Sequence, residues 1–221
     1  MKVFAIIPAF NEGNRIGNVL ENVKEYVDEI IVIDDHSKDN TLESTKNHNI
    51  KSIRLTANMG AGFATRVGCD LAFNNGADIV VTLDADGQHD PSYIPKMVQA
   101  LTDNNLDIIY GTRPRNKNMR FAKRVGNSIM SNFIKVLFRI NISDSQTGYH
   151  AFTKDAYQKL KWESDRYGVV SEFVVKTAHK KLKYSEIEVP TIYNEKEDGM
   201  KPKDAAKAMI NIMKWRIKNV K

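Results

Sequence analysis

The sequence predicts an α/β protein with a mostly parallel sheet covered by helices on both faces. Three observations predict it: short apolar runs alternate with helical patterns through residue 111, the runs are apolar almost without interruption, and a polar cluster follows each one. The runs are Val3 to Ile7, Ile30 to Ile33, Ser52 to Leu55, Ile79 to Leu83 and Ile108 to Tyr110. Between the first two, Ile16, Val19, Leu20 and Val23 recur at helical spacing, and Pro91 to Leu101 repeats that pattern after the fourth. In such sheets ligands gather beyond the carboxyl ends of the strands. The clusters "PAFNE", "DDHSKDNT", "NMGAGFA", "DADGQH" and "GTRPRN" are therefore expected to share one rim.

After residue 111 the rhythm changes to a basic stretch, then "SDSQTGYHAF", a helical "SEFVVKTAHKKL", a strand "YSEIEV" and a basic terminal helix. No repeat, low-complexity tract or Pro/Gly linker interrupts the 221 residues, so residues 1–221 are read as a single domain whose character shifts near residue 112. The 33 Lys and Arg against 27 Asp and Glu leave +6, an excess that suits phosphates, anionic lipid or nucleic acid. Cys69 is the only cysteine, which excludes an intramolecular disulfide and a thiolate zinc cluster and fits a reducing interior. The opening "MKVFAIIPAFNE" reads as a strand rather than a signal peptide. No run of about 18 apolar residues occurs, so no spanning helix is expected.

Asp84, Asp86 and Gln88 place oxygen-bearing side chains at alternate positions as an apolar run ends. Leaving a strand, that spacing would point them the same way, and magnesium typically takes one or two carboxylates and leaves positions for substrate phosphates and water. A divalent cation on a diphosphate is the expectation. An EF-hand is excluded because His89 stands where its glycine should turn and Pro95 where its bidentate Glu should sit. The competing reading is an Asp-Gly turn with a helix cap before Pro91.

Asp34 and Asp35 close the second run, where a carboxylate can accept from a ribose or base; Asp39 or Ser37 would cap the next helix. In "NMGAGFATRVG", Thr65 stands where a dinucleotide fingerprint needs its third glycine, so the small residues are read as permitting close approach of a helix to the sheet or to a nucleotide. The basic stretch carries Arg113, Arg115, Lys117, Arg120, Lys123 and Arg124 beside an apolar set running from Phe121 to Phe138; with residues 204–218 it suggests amphipathic helices for a membrane interface, against the plainer reading of core helices with basic edges. The five histidines match no metal-binding spacing, and no G-x-S-x-G elbow is present.

With "IIPAFNE", "VIDDHSKDNT", "TLDADGQHDP", "YGTRPR" and "SDSQTGYHAF" in that order, the chain resembles the family 2 glycosyltransferases of GT-A fold, and among them the dolichol-phosphate mannose synthases and related polyprenyl-phosphate glycosyltransferases. The resemblance implies a GT-A Rossmann-like sheet with C-terminal amphipathic helices, residues 1–111 serving the nucleotide sugar and 112–221 the acceptor. It implies that Pro8, Phe10, Glu12, Ile33 and Asp35 border the base and ribose, and that Asp84, Ala85, Asp86 and Gln88 hold Mg2+ or Mn2+ and the diphosphate. Arg113 corresponds to a phosphate-binding arginine, Arg124 to the segment that gathers a lipid phosphate, Glu172 to a family glutamate and Lys201 to a lysine that closes over the donor. Asp86, Arg113 and Arg124 are thus the expected catalytic set. Three departures stand out: Phe10 for the usual tyrosine, His150 for the arginine of T/S-G-F-R-A-F, and no arginine in "NEKEDGMK".

The implied activity is inverting transfer of a hexose, mannose or glucose, from a GDP- or UDP-sugar to a polyprenyl or dolichyl phosphate at the cytoplasmic face of a membrane, with peripheral attachment and a possible membrane partner subunit. A phosphate acceptor is already anionic and needs no strong base, whereas a sugar hydroxyl would need one, for which Asp144 or Glu172 is available. A nucleotidyltransferase would want a glycine-rich loop where "PAFNE" stands. A nucleic-acid module would want a stacking platform or a recognition helix, and neither is evident, so no nucleic-acid partner is expected.

Overall fold

The computed structural model describes residues 1–48, 50–114, 121–166, 168–192 and 209–216, with residues 121–125 described by backbone alone. Lys201, Arg115, Lys117 and Arg120, and the side chains of Lys123 and Arg124, therefore lie outside the described residues.

The five expected strands form as β1 (Val3–Ala9), β2 (Glu29–Asp34), β3 (Lys51–Arg54), β4 (Ile79–Thr82) and β5 (Ile108–Thr112). Helices α1 (Ile16–Val23), α2 (Thr41–Lys46), α3 (Ala61–Asn74) and α4 (Ile94–Asp103) connect them, the last entered through a single 3-10 turn at Pro91–Tyr93. Beyond β5 come α5 (Phe121–Phe138), β6 (His150–Thr153), α6 (Lys154–Leu160), α7 (Gly168–His179) and β7 (Tyr184–Glu188). A further helical stretch covers 209–216.

All seven strands lie in one sheet, ordered β3-β2-β1-β4-β6-β5-β7. Every pairing is parallel except those of β6, which runs antiparallel between β4 and β5. The sequence reading did not give β6, because four residues at the end of the polar "SDSQTGYHAF" carry too little periodicity. Their burial comes from central placement between two strands.

The near-continuous apolar runs are explained by burial on both faces. On β1, Phe4 and Ile6 face a core formed with α3, α5, α6 and α7, while Ala5 and Ile7 face a second core under α1 and α4. On β2, Ile31 and Ile33 join the first and Ile30 and Val32 the second. Helix α3 lies close on the sheet: a Cβ on Gly68 would stand 2.4 Å from Ile6 Cγ2 and 3.3 Å from Ile33 Cγ1. Helix α5 buries Met130, Ile134 and Phe138 and leaves Ile129 and Val136 exposed. It is thus a core helix with an outer apolar edge. In the 209–216 stretch Ile212 is buried while Ile210 and Met213 face outward. Among the described residues no helix is long and apolar enough to cross a membrane.

Strand order turns on β1, whose neighbours are β2 on one side and β4 on the other. Sheets of this kind bind ligands in the crevice at that switch. "PAFNE" and "DADGQH" are the segments placed there.

Gly68→Val is expected to lower stability by about 2 kcal/mol through overpacking against Ile6. Gly126→Ala, in α5 with open space around the added carbon, should instead be neutral or stabilise by up to about 1 kcal/mol. Urea unfolding of both variants checks the pair.

Candidate active site

The loop after β1 is stitched to the loop after β2 by side chains that the sequence placed in two separate motifs. Asn11, at φ 57°, donates its amide to Ser37 Oγ at 2.9 Å and accepts from the Lys38 amide at 2.8 Å. The Glu12 amide donates to Thr41 Oγ1 at 2.8 Å and the Gly13 amide to Asp39 Oδ2 at 3.0 Å. Asp39 also accepts from the Thr41 amide, but it does so from one position outside the N-cap of α2, which is Asn40 and makes no side-chain capping bond. Ser37 serves the loop junction instead, its own amide donating to Asp34 Oδ1 at 2.9 Å.

Asp35 holds the turn that leads into α3. Its Oδ1 accepts from the Met59 amide at 2.7 Å, and its Oδ2 accepts from the Gly60 amide at 2.7 Å and from Asn58 Nδ2 at 3.0 Å. Beside it opens a cavity of about 190 Å³ lined by Pro8, Ala9, Phe10, Asp35, Asn58, Gly60, Ala61 and Arg166. Pro8, Phe10 and Asp35 therefore come together as expected. Ile33 does not: it is wholly buried beneath α3. Glu12 also turns elsewhere, pairing with Arg15 Nε at 2.6 Å. Burial raises its pKa, Arg15 opposes the rise, and the charges of Asp86 and Asp39 add to it. Glu12 thus stands toward the acidic turn after β4 rather than in the cavity beside Asp35.

That turn is not the extended strand end that alternate spacing suggested. Strand β4 stops at Thr82, and Asp84 to Gln88 follow as a turn with Gly87 at φ 76°. Curvature of the backbone, not the pleat of a strand, brings the carboxylates together. The Gln88 amide donates to Asp86 Oδ1 at 3.0 Å, and the Asp84 amide donates to His89 Nδ1 at 3.2 Å. The His89 ring stacks on Tyr149 with centroids 5.0 Å apart, and the Tyr149 hydroxyl donates to the Asp90 carbonyl at 3.1 Å. Asp90 also accepts from the Ser92 amide, so the turn-and-cap reading holds alongside the acidic one.

Two observations bear on a cation. Burial raises the Asp86 pKa and the charge of Asp84 raises it further, while the Gln88 amide and the charges of His89 and Arg15 oppose the rise. Gly148 supplies the space, since a Cβ there would stand 2.9 Å from Asp84 Oδ1. No group of three His, Cys, Asp or Glu gathers to hold a metal among the described residues. Two carboxylates with the remaining positions left to phosphate and water match the magnesium pattern. Ala85 is buried in the second core, and Gln88 is half-buried, its carbonyl accepting from the Ile192 amide at 3.1 Å.

Arg113 follows β5 and is held by Asp144 from the segment before β6. Its Nε and Nη2 donate to the two Asp144 oxygens at 2.6 and 2.9 Å, and its amide donates to Oδ2 at 3.3 Å. Asp144 is buried, yet the paired guanidinium holds its carboxyl below the usual range against the desolvation that would raise it. Glu172 on α7 is buried as well. It accepts from the Glu163 and Ser164 amides, both at 2.8 Å, and pairs with Lys176 Nζ at 3.0 Å.

The segment pinned by Glu172 carries what the sequence reading missed. Trp162 is buried and its Nε1 donates to the Gly62 carbonyl at 2.8 Å; Arg66 donates to the Trp162 carbonyl and to Asp165 Oδ1, each at 3.0 Å. Gly60 and Gly62 are needed here, because a Cβ would meet the Asp165 carbonyl oxygen at 2.5 Å and the Ser164 carbonyl oxygen at 2.2 Å. The small residues of "NMGAGFA" thus admit this segment and present Arg166 to the cavity. No motif marked Arg166. Asn58, Gly60 and Ala61 were legible as part of a conspicuous run.

His150 lies in β6 between Tyr110 and Phe173, each ring centroid 5.0 Å away. Burial, with the charge of His89, pushes its pKa down to about 3.

The sequence matches the family described as Glycosyl transferase family 2 over residues 4–161. The chain belongs to that family. A UDP-N-acetylglucosamine–dolichyl-phosphate N-acetylglucosaminyltransferase of Methanococcus voltae is 37% identical, over 87% of this chain and 86% of the relative. An undecaprenyl-phosphate mannosyltransferase of Micrococcus luteus is 27% identical, over 97% and 94%. Among solved structures, glucosyl-3-phosphoglycerate synthase from Mycobacterium tuberculosis, crystallised with Mn2+, UDP and phosphoglyceric acid, superposes with a TM-score of 0.76 over 99% of this chain and 78% of that one at 17% identity. That likeness establishes the GT-A arrangement of this glycosyltransferase. The family match ends at residue 161, just before the segment that carries Arg166.

Two outcomes test this anatomy. Arg113→Ala should cost about 3 kcal/mol by leaving Asp144 buried and unpaired, read from urea unfolding. His150 stays neutral in the fold, whereas in the unfolded chain it gains a proton below about pH 6.5, so stability is full above that value and is lost as pH falls toward 3. Between pH 7.5 and 5.0 this one group should remove about 2 kcal/mol. His150→Phe should lose less over the same interval.

Proposed function

We propose that this glycosyltransferase moves a hexose from a nucleoside-diphosphate sugar to a polyprenyl phosphate with inversion at the anomeric carbon. The observation that carries the reading is the state of the two carboxylates available as a general base. Asp144 is bidentate to Arg113 and depressed in pKa, and Glu172 accepts from two backbone amides and pairs with Lys176. A hydroxyl acceptor would need one of them to take its proton; a phosphate oxygen arrives already anionic. The relatives named above differ in sugar and agree on a lipid phosphate.

In the reaction, the acceptor phosphate oxygen forms a bond to the anomeric carbon while the bond from that carbon to the donor diphosphate breaks, and the electron pair leaves with the nucleoside diphosphate. Asp84 and Asp86, with Gln88, would hold Mg2+ or Mn2+, which supplies positive charge to the departing diphosphate. The paired solved structure, with Mn2+ and UDP, supports a divalent ion in this fold. Pro8, Phe10 and Asp35 border the donor's nucleoside, and Arg113, carried beside the rim by Asp144, adds a charged donor toward phosphate. Residues 1–111 would serve the donor and 112–221 the acceptor, with Arg124 meeting the lipid phosphate and Lys201 closing over the donor.

Attachment would be peripheral, at the cytoplasmic face. The exposed Ile129 and Val136 on α5 and Ile210 and Met213 of the later helix support contact with lipid, beside Lys135 and Lys214. A membrane partner subunit could supply the same anchorage.

The experiment offers labelled UDP- and GDP-mannose, glucose and N-acetylglucosamine with Mg2+ or Mn2+ to a short polyprenyl phosphate and, separately, to an oligosaccharide. Label should enter the lipid alone. Transfer only to the oligosaccharide would reject the acceptor assigned here. Asp86→Asn should lower kcat/KM by about 100-fold or more with the thermal midpoint preserved. Near-normal turnover at saturating donor would remove Asp86 from the chemistry.

A further inference from the structure

Strand β6 lies between β4 and β5 and begins at the rim, where His150 pairs with Thr82. The segment that leads into it, Asp144 to Gly148, therefore stands between the loops after β4 and β5. At one end a Cβ on Gly148 would come within 2.9 Å of Asp84 Oδ1. At the other, Asp144 clasps Arg113. Half-buried between these anchors sits Gln146, whose amide donates to Asp144 Oδ1 at 3.1 Å. Hydrogen bonding fixes which way its carboxamide faces. One end lies 3.1 Å from the Ser145 carbonyl oxygen, which can accept but not donate, so that end is Nε2. The same nitrogen reaches Ser145 Oγ at 3.3 Å and Ser171 Oγ on α7 at 2.9 Å. Ser145 is tied in turn to α5, since Ser131 Oγ donates to its hydroxyl and accepts from its amide, both at 3.2 Å. All three serines are buried. Oε1 accepts no hydrogen bond among the described residues and reaches solvent, for the buried side-chain atoms that lack a partner there belong to Glu12, Asp34 and His179.

We propose that Gln146 Oε1 accepts a hydrogen bond from a ring hydroxyl of the sugar being transferred, so that Gln146 is a specificity-determining residue for the sugar. The proposal rests on the nucleotide-sugar reading above and deepens it. In that reading the departing diphosphate meets the acidic turn and a phosphate meets Arg113, so the group that passes between them is the sugar. A carbonyl oxygen suits a sugar, because each ring hydroxyl can donate. It offers nothing to a diphosphate, whose ionised oxygens accept. The serines behind Nε2 hold the carboxamide in one orientation before any ligand arrives, so little rotamer freedom is lost on binding. A site built to pair a hydroxyl discriminates strongly against an analogue that lacks it, since the acceptor is then left unpaired.

The test compares each nucleotide sugar with its bare nucleotide. The full chain, with Mn2+, is titrated calorimetrically with UDP-glucose, UDP-N-acetylglucosamine and UDP, and with GDP-mannose and GDP, as the unaltered protein and as Gln146→Met and Gln146→Glu. Methionine keeps the length of the side chain and removes the acceptor. Gln146→Met should weaken the preferred nucleotide sugar about tenfold while its bare nucleotide changes by no more than about twofold, and Gln146→Glu, which keeps an accepting oxygen, should recover part of the sugar's contribution. Analogues of that nucleotide sugar lacking one ring hydroxyl at a time should show one position whose loss costs the unaltered protein about tenfold and costs Gln146→Met nothing further. Equal weakening of sugar and bare nucleotide would mark Gln146 as merely structural and overturn its assignment. An unchanged sugar contribution in Gln146→Met overturns it as well, with the donor reading left in place. Failure of every nucleotide and nucleotide sugar to bind overturns both. If neither variant folds, the hydroxyl-deletion series on the unaltered protein decides, and the absence of any sensitive position overturns the proposal.

Discussion

A strand buried on both faces can carry polar side chains only where it stops. That constraint governs this protein. Strands β1, β2 and β4 have both faces packed into two separate cores, and together with β3 and β5 they run in one direction. Their polar residues accordingly accumulate at one rim, and strand order sets which clusters become neighbours. The switch at β1 places the acidic turn after β4 beside Glu12, close enough for Asp86 to raise the Glu12 pKa. Antiparallel β6 brings Gly148 against Asp84 and leads Asp144 back to Arg113. Chemistry here is a by-product of topology.

The carboxylates of the rim have divided work that composition does not separate. Asp34 and Asp39 bind loop amides and shape the junction between the β1 and β2 loops. Asp35 is mainly a turn-former. Asp144 and Glu172 are engaged by an arginine, a lysine and backbone amides, which makes them fasteners of the segments around them. Asp84 and Asp86 stand close together, and burial with the charge of Asp84 raises the Asp86 pKa against the opposing pull of the Gln88 amide, His89 and Arg15.

The segment from Trp162 to Arg166 shows how a binding surface is assembled from fasteners. Glycines at 60 and 62 leave room for its backbone, Glu172 takes two of its amides, and Arg66 takes a carbonyl and a carboxylate. The Glu172 contacts are local, whereas those of Arg66 and Gly62 span 96 to 100 residues. The result is an arginine carried on a fastened segment beside a pocket whose other walls come from the first 61 residues of the chain.

The sequence by itself determined the class of fold, six of the seven strands, the last of them at 184–188, and the rim where polar residues collect. These are local properties: apolar runs, helical spacing and short motifs report burial and backbone preference within a dozen residues. Tertiary structure alone decided that β6 is a central antiparallel strand, that Asp84 and Asp86 meet through a turn, that Ile33 and Glu12 do not line the cavity beside Asp35, that Arg113 is clasped by Asp144, and that Arg166 does line it. Each of these depends on which distant segments share space, and a side chain's partner across the fold leaves no periodic trace in the order of residues.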